Sequence, residues 1–552
     1  MPDKYIKIEE LKKYNKKYYK YIELHNIEYL NKKRKNIPLL NNINGYPLDE
    51  YQSRVVLSEE EKTLVVAGAG SGKSMTIIGK IVYLVKELNV KPESILCISF
   101  TNDATNNLKK NIKKNYNFNI DIYTFHKLAL TILKDNDEEY EIIPDDFLNT
   151  IIDNFFLTYG RRYEKELKTI LGKKYNEKDI NNLKRLINTF ISLYKSNNYD
   201  YYYYKELLKR IKYTINYKQY KKNKALLLLI INIYIMYEDE LEKENSIDFN
   251  DMINKAIESI KEKGIKKEWK YIIIDEYQDT SKTKFEMIDE IIKKTKSKLL
   301  VVGDDFQSIY RFTGCNLNLF LDFNKIYKDA KIFQIINTYR NPQELINVAG
   351  SFIMKNKKQL KKKLISSKHL NKPIKIYYSD DKKRILKYLL KNIDQEEILV
   401  LGRNNNDINK YIDKEYKKEN DYYIYKNIKF KYLTMHKSKG LESKNVILIN
   451  IEDSYTGMPT KIKEEQILKY LNNNKEYYPY EEERRLFYVA LTRTKNNVYI
   501  ISSYNKESIF VKELKNYKKY VETIKKWVYY IPIFGDSSSN SGWKLYFFIS
   551  SS

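Results

Sequence analysis

Two short stretches place reactive residue types at a fixed spacing. Ala67-Gly68-Ala69-Gly70-Ser71-Gly72-Lys73-Ser74 follows the apolar run TLVV and opens a helical pattern, the context in which a glycine-rich turn cradles phosphates. Small residues let backbone N–H groups approach an anion, and the helix N-terminus adds positive potential. Lys73 then reaches the β and γ oxygens of a nucleoside triphosphate, and Ser74 ligates Mg²⁺. The loop begins with Ala67 where the general pattern has glycine. Farther on, IIIDEYQDTS (272–281) sets Asp275 and Glu276 directly behind an isoleucine run. A Mg²⁺–nucleotide complex needs a hard oxygen ligand at a strand end beside the phosphate loop, which suits Asp275. It also needs a group that orients and deprotonates water, which suits Glu276.

The elements that must hold these residues are legible as well. TLVVAGAGSGKSMTIIGKIVYLV (63–85) reads as strand, turn and helix, and SILCISFTNDATNNLKKNI (94–112) repeats the order. From about 130 to 245 the pattern is helical, with tyrosine-rich stretches such as YYYY (201–204), for which packing is the reading. ALLLLIINIYIMY (225–237) is shorter than the ~20 residues of a spanning helix and contains Asn232, so it reads as a buried helix. Apolar strand runs return at YIIIDE (271–276), KLLVVGDD (298–305), KIFQIIN (331–337), EEILVLGR (396–403), NVILINIE (445–452) and NNVYIIS (496–502). Such runs suit parallel strands covered on both faces. The expected fold is α/β, with two doubly wound parallel-sheet domains and an inserted helical subdomain. The boundaries expected are a helical lead-in at 1–45, a first domain at 46–129 and 246–325 split by an insertion at 130–245, a second domain at 326–505, and a tail at 506–552. The tail ends in the serine-rich FGDSSSNSGWKLYFFISSS and reads as poorly ordered.

Composition sets the frame. A chain of 552 residues calls for several domains. With 100 Lys+Arg against 72 Asp+Glu, net +28, a polyanionic partner is indicated, although a bias toward Lys, Asn, Ile and Tyr throughout the chain accounts for the charge equally well. Cys97 and Cys315 are the only cysteines, which argues against a disulfide framework or a zinc site. The N-terminus MPDKYIKIEELKKYNKKYYK has no apolar segment, so no signal peptide is expected and the protein reads as cytoplasmic, without a membrane partner.

Further segments carry a resemblance. DEYQDTS, VVGDDFQSIYRFTG (301–314), NTYRNPQEL (337–345), TMHKSKGLE (434–442) and EEERRLFYVALTRTK (481–495) resemble, in order, the motifs of UvrD/Rep-type superfamily 1 DNA helicases. LDEYQ (48–52), FTNDAT (100–105), TFH (124–126) and DFND (248–251) resemble the remaining elements, and GYPLDEYQ with DDFQSIYRFTG is most similar to the DNA helicase IV branch. The resemblance runs from about 46 to 502 and implies two RecA-like motor domains with ATP and Mg²⁺ as cofactors. It implies base contacts from Gln52 and Tyr339, a ribose contact from Glu442, γ-phosphate sensing by Gln307, and arginine fingers Arg340 and Arg493. It places Phe100, Thr101, Asn102, Thr124, His126, Tyr310, Phe312, Thr434 and His436 along a track for single-stranded DNA, where rings stack on bases and polar groups meet phosphates. Single/double-strand junctions are the implied substrate, with room for accessory loading proteins, and the implied polarity is 3′→5′ in replication, repair or recombination.

Three departures qualify the resemblance. Met75 stands where UvrD has an arginine stacked near the base, and Phe312 stands where a tryptophan is usual. The interval from Arg340 to Thr434 is too short for the large insertion UvrD carries there. Two alternatives stay open: a translocase that strips proteins from single strands without unwinding, and a DNA-binding regulatory subunit with a decayed motor. Intact Lys73, Asp275, Glu276, Gln307, Arg340 and Arg493 argue against decay.

Overall fold

Apolar runs that alternate between two buried faces become the strands of the first sheet. In the computed structural model, which describes residues 4–214, 216–471, 478–529 and 546–550, this sheet has six parallel strands. Their order is Asp121–Thr124, Ile95–Ser99, Tyr271–Ile274, Lys298–Gly303, Lys62–Ala67 and Lys331–Ile335. Leu64, Val66, Ile98, Ile272 and Ile274 face one core, closed by helices Phe125–Asp135, Phe249–Lys263 and Lys282–Thr295. Val65, Ala67, Cys97, Ile273 and Val302 face the other, closed by helices Glu50–Leu57, Lys73–Lys86 and Asn102–Tyr116. This period-two split produces a doubly wound domain. Leu30, Ile37, Leu40 and Ile43 of the N-terminal lead-in bury into the second of these cores.

The helical insertion leaves and re-enters the first domain at a two-strand parallel ladder, Glu141–Ile142 with Ser246–Ile247. Its core gathers Ile152, Phe190, Leu226, Leu229 and Ile230, so the 225–237 run is the buried centre of helix Tyr217–Lys243. Tyr203 packs by stacking on Tyr199 at 3.8 Å between ring centres, whereas Tyr202 is exposed. No helix among the described residues is long and apolar enough to cross a membrane. Buried Lys195 ties the insertion to the motor domain through Asp248 at 2.9 Å and Asp251 at 2.7 Å.

The second sheet holds nine strands among the described residues, with the parallel strands Ile428–Thr434, Ile398–Gly402, Ser443–Leu448, Thr494–Ser502 and Ile374–Tyr378 at its centre. The hairpin Tyr416–Glu419 and Tyr422–Tyr425 extends one edge. Residues 341–433, all described, are used up by these strands and by helices Gln343–Ile353 and Lys382–Asn392, with no separate subdomain.

Three expected boundaries move. Lys331–Ile335, assigned by sequence to the second domain, is the edge strand of the first sheet, paired in parallel with Lys62–Ala67; its apolar run fits either sheet, and the ladder decides. Helix Phe125–Asp135 crosses the boundary at 130 because Leu128, Ala129, Ile132 and Leu133 pack in the first domain's core. The second domain continues past 505, since Phe510, Val511 and Leu514 bury in its core and Val521–Tyr529 pairs with Ile374–Tyr378. The rest of the expected tail falls largely on 530–545 and 551–552, outside the described residues.

Candidate active site

The carboxyl ends of four strands of the first sheet open on one cavity of about 1210 Å³, where ligands of doubly wound folds bind. Gly68, Ser71, Lys73, Ser74, Ser99, Asp275 and Gln307 line it from the first sheet, and Arg340, Glu442 and Arg493 line it from the other side. Ala67 is the last residue of its strand and fully buried, so the loop proper starts at Gly68. Gly70 and Gly72 have φ of 70° and 75°, a left-handed region that favours glycine. A Cβ on Gly70 would lie 2.4 Å from Arg340 Cβ, and one on Gly72 would lie 2.5 Å from Gln52 Nε2. Helix Lys73–Lys86 starts without a side-chain cap, so its first-turn N–H groups are left to a ligand in the cavity. A small, donor-rich cradle of this kind fits the phosphates of a nucleotide.

The acidic pair sits opposite. Lys73 Nζ lies 3.1 Å from Glu276 Oε1, and Asp275 Oδ1 accepts from the Glu276 N–H at 2.8 Å. Glu276 is held at φ 49°, an uncommon backbone for this residue type, fixed by Gln278 Nε2 donating to its Oε2 at 2.6 Å. Burial, then the Glu276 charge, pushes the Asp275 carboxyl up to about 7. Burial of Glu276 is outweighed by Lys73 and then Lys439, which hold it down at about 2. Ser74 and Asp275 both line the cavity and bring oxygen atoms to it, the donor type that Mg²⁺ takes.

The segment that leaves the first sheet is stitched to the phosphate loop. Thr338 Oγ1 donates to the Ala69 carbonyl at 2.7 Å, and the Tyr339 N–H donates to that of Gly70 at 2.9 Å. Arg340 Nε donates to Glu442 Oε2 at 2.8 Å, and Lys495 lies 3.0 Å from the other oxygen, so Glu442 is paired with an arginine finger candidate instead of standing free for a ribose. Arg493 Nη2 donates to Gln307 Oε1 at 2.9 Å. Burial and then Arg340 depress its guanidinium to about 9, so two cations face the cavity end where a phosphate would neutralise them. Gln52 Nε2 donates to the Ser71 carbonyl of the loop at 3.2 Å, and the Tyr339 hydroxyl donates to Asp49 Oδ2 at 2.7 Å.

The expected DNA-track residues form two clusters. Tyr310, Phe312 and His436 meet across the two domains, with Phe312 edge-on to His436 at 5.7 Å and the Tyr310 hydroxyl donating to the His436 carbonyl at 3.3 Å. Thr434 Oγ1 accepts from the Lys437 N–H and so fixes the turn that carries His436. In the first domain His126 lies edge-on to Phe249 at 5.4 Å, while Thr101 and Thr124 cap the helices that carry Asn102 and His126. Phe100 packs edge-on against buried Phe125 at 5.5 Å, and with Thr101 it lines the nucleotide cavity, which makes it as much a packing residue as a platform.

Residues 48–328 match the UvrD/REP helicase N-terminal domain, and residues 417–506 match the UvrD-like helicase C-terminal domain. The chain belongs to the UvrD/REP helicases. It is 26% identical over 500 residues to DNA helicase IV of Escherichia coli, covering 86% of this chain and 71% of that protein. It is 30% identical over 498 residues to ATP-dependent DNA helicase Rep of Buchnera aphidicola, covering 84% and 70%. ATP-dependent DNA helicase PcrA of Leuconostoc citreum is 27% identical over 357 residues, covering 63% and 44%.

This UvrD/REP helicase also contains residues at or next to the expected site to which the sequence reading gives no role. Lys439 pairs with buried Asp279 and donates to the Gln307 carbonyl at 2.7 Å, which links the two domains beside the acidic pair. Asp304 Oδ2 accepts from Gln307 Nε2 at 2.6 Å and orients that side chain. Both lie inside quoted segments, TMHKSKGLE and VVGDDFQSIYRFTG, where their charge was the available signal. Phe249, 49% exposed beside His126, sits in DFND without any local signal that it faces outward.

Proposed function

We propose that this UvrD/REP helicase is an ATP- and Mg²⁺-dependent motor that moves 3′→5′ along single-stranded DNA and acts at single/double-strand junctions in replication, repair or recombination, in the cytoplasm. One observation carries the reading. A single cavity is walled by the phosphate loop and acidic pair of one sheet and by Arg340 and Arg493 from beyond it, which supports a ligand there that bridges the two domains. Ser74 and Asp275 would hold Mg²⁺, which would supply positive charge against that of the phosphates. Lys73 is freed from Glu276 when it turns to phosphate. Glu276 then orients and deprotonates water, Gln307 senses the terminal phosphate, and Arg493 and Arg340 stabilise the spreading negative charge. Lys439 donates to the Gln307 carbonyl and its ammonium lies 4.9 Å from the Tyr310 ring, so Lys439 would relay changes at the phosphate to the strand groove. Closure on binding and release on hydrolysis would then move the groove along a strand.

The reading is supported by the names of its relatives, DNA helicase IV, Rep and PcrA. The compact 341–433 segment supports a second reading of the same engine, translocation that displaces proteins without separating duplex. The deciding experiment is ATPase with and without single-stranded DNA, beside strand displacement on duplexes with 3′ or 5′ tails. DNA-stimulated ATPase with a 3′-tail preference supports the helicase. ATPase without displacement supports the translocase, and a 5′-tail preference overturns the polarity.

A further inference from the structure

The cavity is built in part by residues that precede the matched region 48–328. Arg34, Tyr46 and Pro47 line it, as do Gln52, Met75 and Tyr339, and Asp49 bonds both Gln52 and Tyr339 there. Arg34 lies in the last turn of helix Tyr19–Lys35, which is fixed to the domain: Asn31 donates to Glu50 at 3.0 Å and accepts from Arg54 at 3.2 Å. Arg34 Nη2 donates to the Leu48 carbonyl at 2.7 Å, which anchors one arm of the guanidinium while its plane borders the cavity. The Tyr339 phenol is raised by burial and by its bond to Asp49, with the Arg34 charge opposing, so the two side chains share one electrostatic neighbourhood. Tyr46, which also lines the cavity, is 69% exposed.

Lys73, Arg340 and Arg493 already supply cations to the phosphate loop and the acidic pair. A further guanidinium, bonded to the Leu48 carbonyl and close enough to Tyr339 to act on its phenol, with Gln52 and Met75 in the same lining, suits a flat heteroaromatic ring and not a second phosphate. A guanidinium plane stacks on such a face with a strength that grows as water is excluded. We infer that Arg34, with Tyr46, is a base-binding residue that covers the nucleotide's ring alongside Tyr339, so that the N-terminal segment forms part of the nucleotide site. The inference rests on the nucleotide reading of the cavity.

The test is calorimetric binding of ATP and of inorganic tripolyphosphate, each with Mg²⁺, to the wild-type chain, Arg34→Met and Tyr46→Ala. Methionine keeps the aliphatic stem that packs beneath the guanidinium. Arg34→Met is expected to weaken ATP about tenfold and Tyr46→Ala about threefold, with tripolyphosphate unchanged. Unchanged ATP affinity, or an equal loss for both ligands, overturns the assignment. If Arg34→Met melts below the wild type, Arg34→Lys replaces it, since lysine keeps the charge but not the plane, and the same selective loss is expected. A wild-type chain that binds tripolyphosphate but not ATP overturns the inference, whereas one that binds neither overturns the nucleotide reading beneath it.

Discussion

Arg493 Nη2 donates to the Gln307 side-chain oxygen at 2.9 Å, and this bond joins the second domain to the first at the phosphate end of the cavity. Gln307 is held from behind by Asp304 at 2.6 Å, and Arg493 is also anchored by its Nε on the Val489 carbonyl at 3.0 Å. Both partners are buried, so neither reorients without the other. Gln307 and Arg493, proposed as sensor and finger, therefore form one hydrogen-bonded unit at the cavity.

Substitutions in this unit should separate binding from turnover. Lys73→Ala is expected to lose nucleotide affinity, because the lysine is the cation of the phosphate loop. Glu276→Gln and Arg493→Ala are expected to bind ATP while kcat falls at least a hundredfold, since they act on water and on the reacting phosphate. Equilibrium binding of ATP beside steady-state ATPase measures both, and an equal loss of affinity in all three variants contradicts the roles.

Gly70→Ala should be costly where Gly350→Ala is not. At Gly70 the new Cβ meets Arg340 Cβ at 2.4 Å and the backbone has φ 70°, whereas nothing lies within 4 Å of a Cβ on helical Gly350. The expected cost at Gly70 is about 1–3 kcal/mol with ATPase reduced at least tenfold, against a neutral or slightly stabilising change at Gly350. Denaturant unfolding and ATPase on the two variants check this.

How far the sequence reveals this arrangement follows from how local each signal is. The phosphate loop and the acidic pair are legible because strand, turn and helix signals flank them within a few residues. Lys331–Ile335 is apolar enough for either sheet, and only its ladder with Lys62–Ala67 decides, so the sequence assigns it to the wrong domain. Glu442 is legible as a polar group at the site, but its pairing with Arg340 spans 102 positions and has no local trace. Arg34 is hidden as well, one of four consecutive basic residues, Lys32 to Lys35, among which nothing local distinguishes it.

Lys195 should be a stability residue, not a catalytic one. Its side chain is 3% exposed and its ammonium lies between Asp248, Asp251 and Glu238, where it offsets two largely buried carboxylates at the root of the helical insertion. Lys195→Met leaves those carboxylates unpaired and is expected to cost about 3–5 kcal/mol. Urea unfolding measures the loss, and a variant within about 0.5 kcal/mol of wild type shows that the cluster is not compensating charge.

Phe312, 52% exposed, should behave as a stacking platform. Phe312→Ala is expected to weaken single-stranded DNA by about 1–3 kcal/mol and leave the salt dependence of binding unchanged, because stacking releases no counterions. Neutralising a lysine that contacts phosphate reduces that slope by about 0.7 instead. Binding titrations over a range of salt concentrations distinguish the two, and a Phe312→Ala protein with unaltered affinity removes the ring from the track.

The compact second domain bears on duplex separation. Residues 341–433 form the strands and helices of the motor itself, so the engine has no additional subdomain there with which to grip or control a junction. Closure needs the nucleotide cavity, Arg340, Arg493 and the groove around Tyr310, Phe312 and His436, and all of these are in place. Strong DNA-stimulated ATPase is therefore expected together with weak unwinding at limiting enzyme, rising steeply with the length of the 3′ tail as several molecules load behind one another. Strand displacement as a function of tail length and enzyme concentration, measured beside ATPase on the same DNA, gives the answer. Efficient unwinding by one molecule on a short tail would place the grip on duplex elsewhere, and the lysine- and tyrosine-rich helical insertion would be the next surface to mutate.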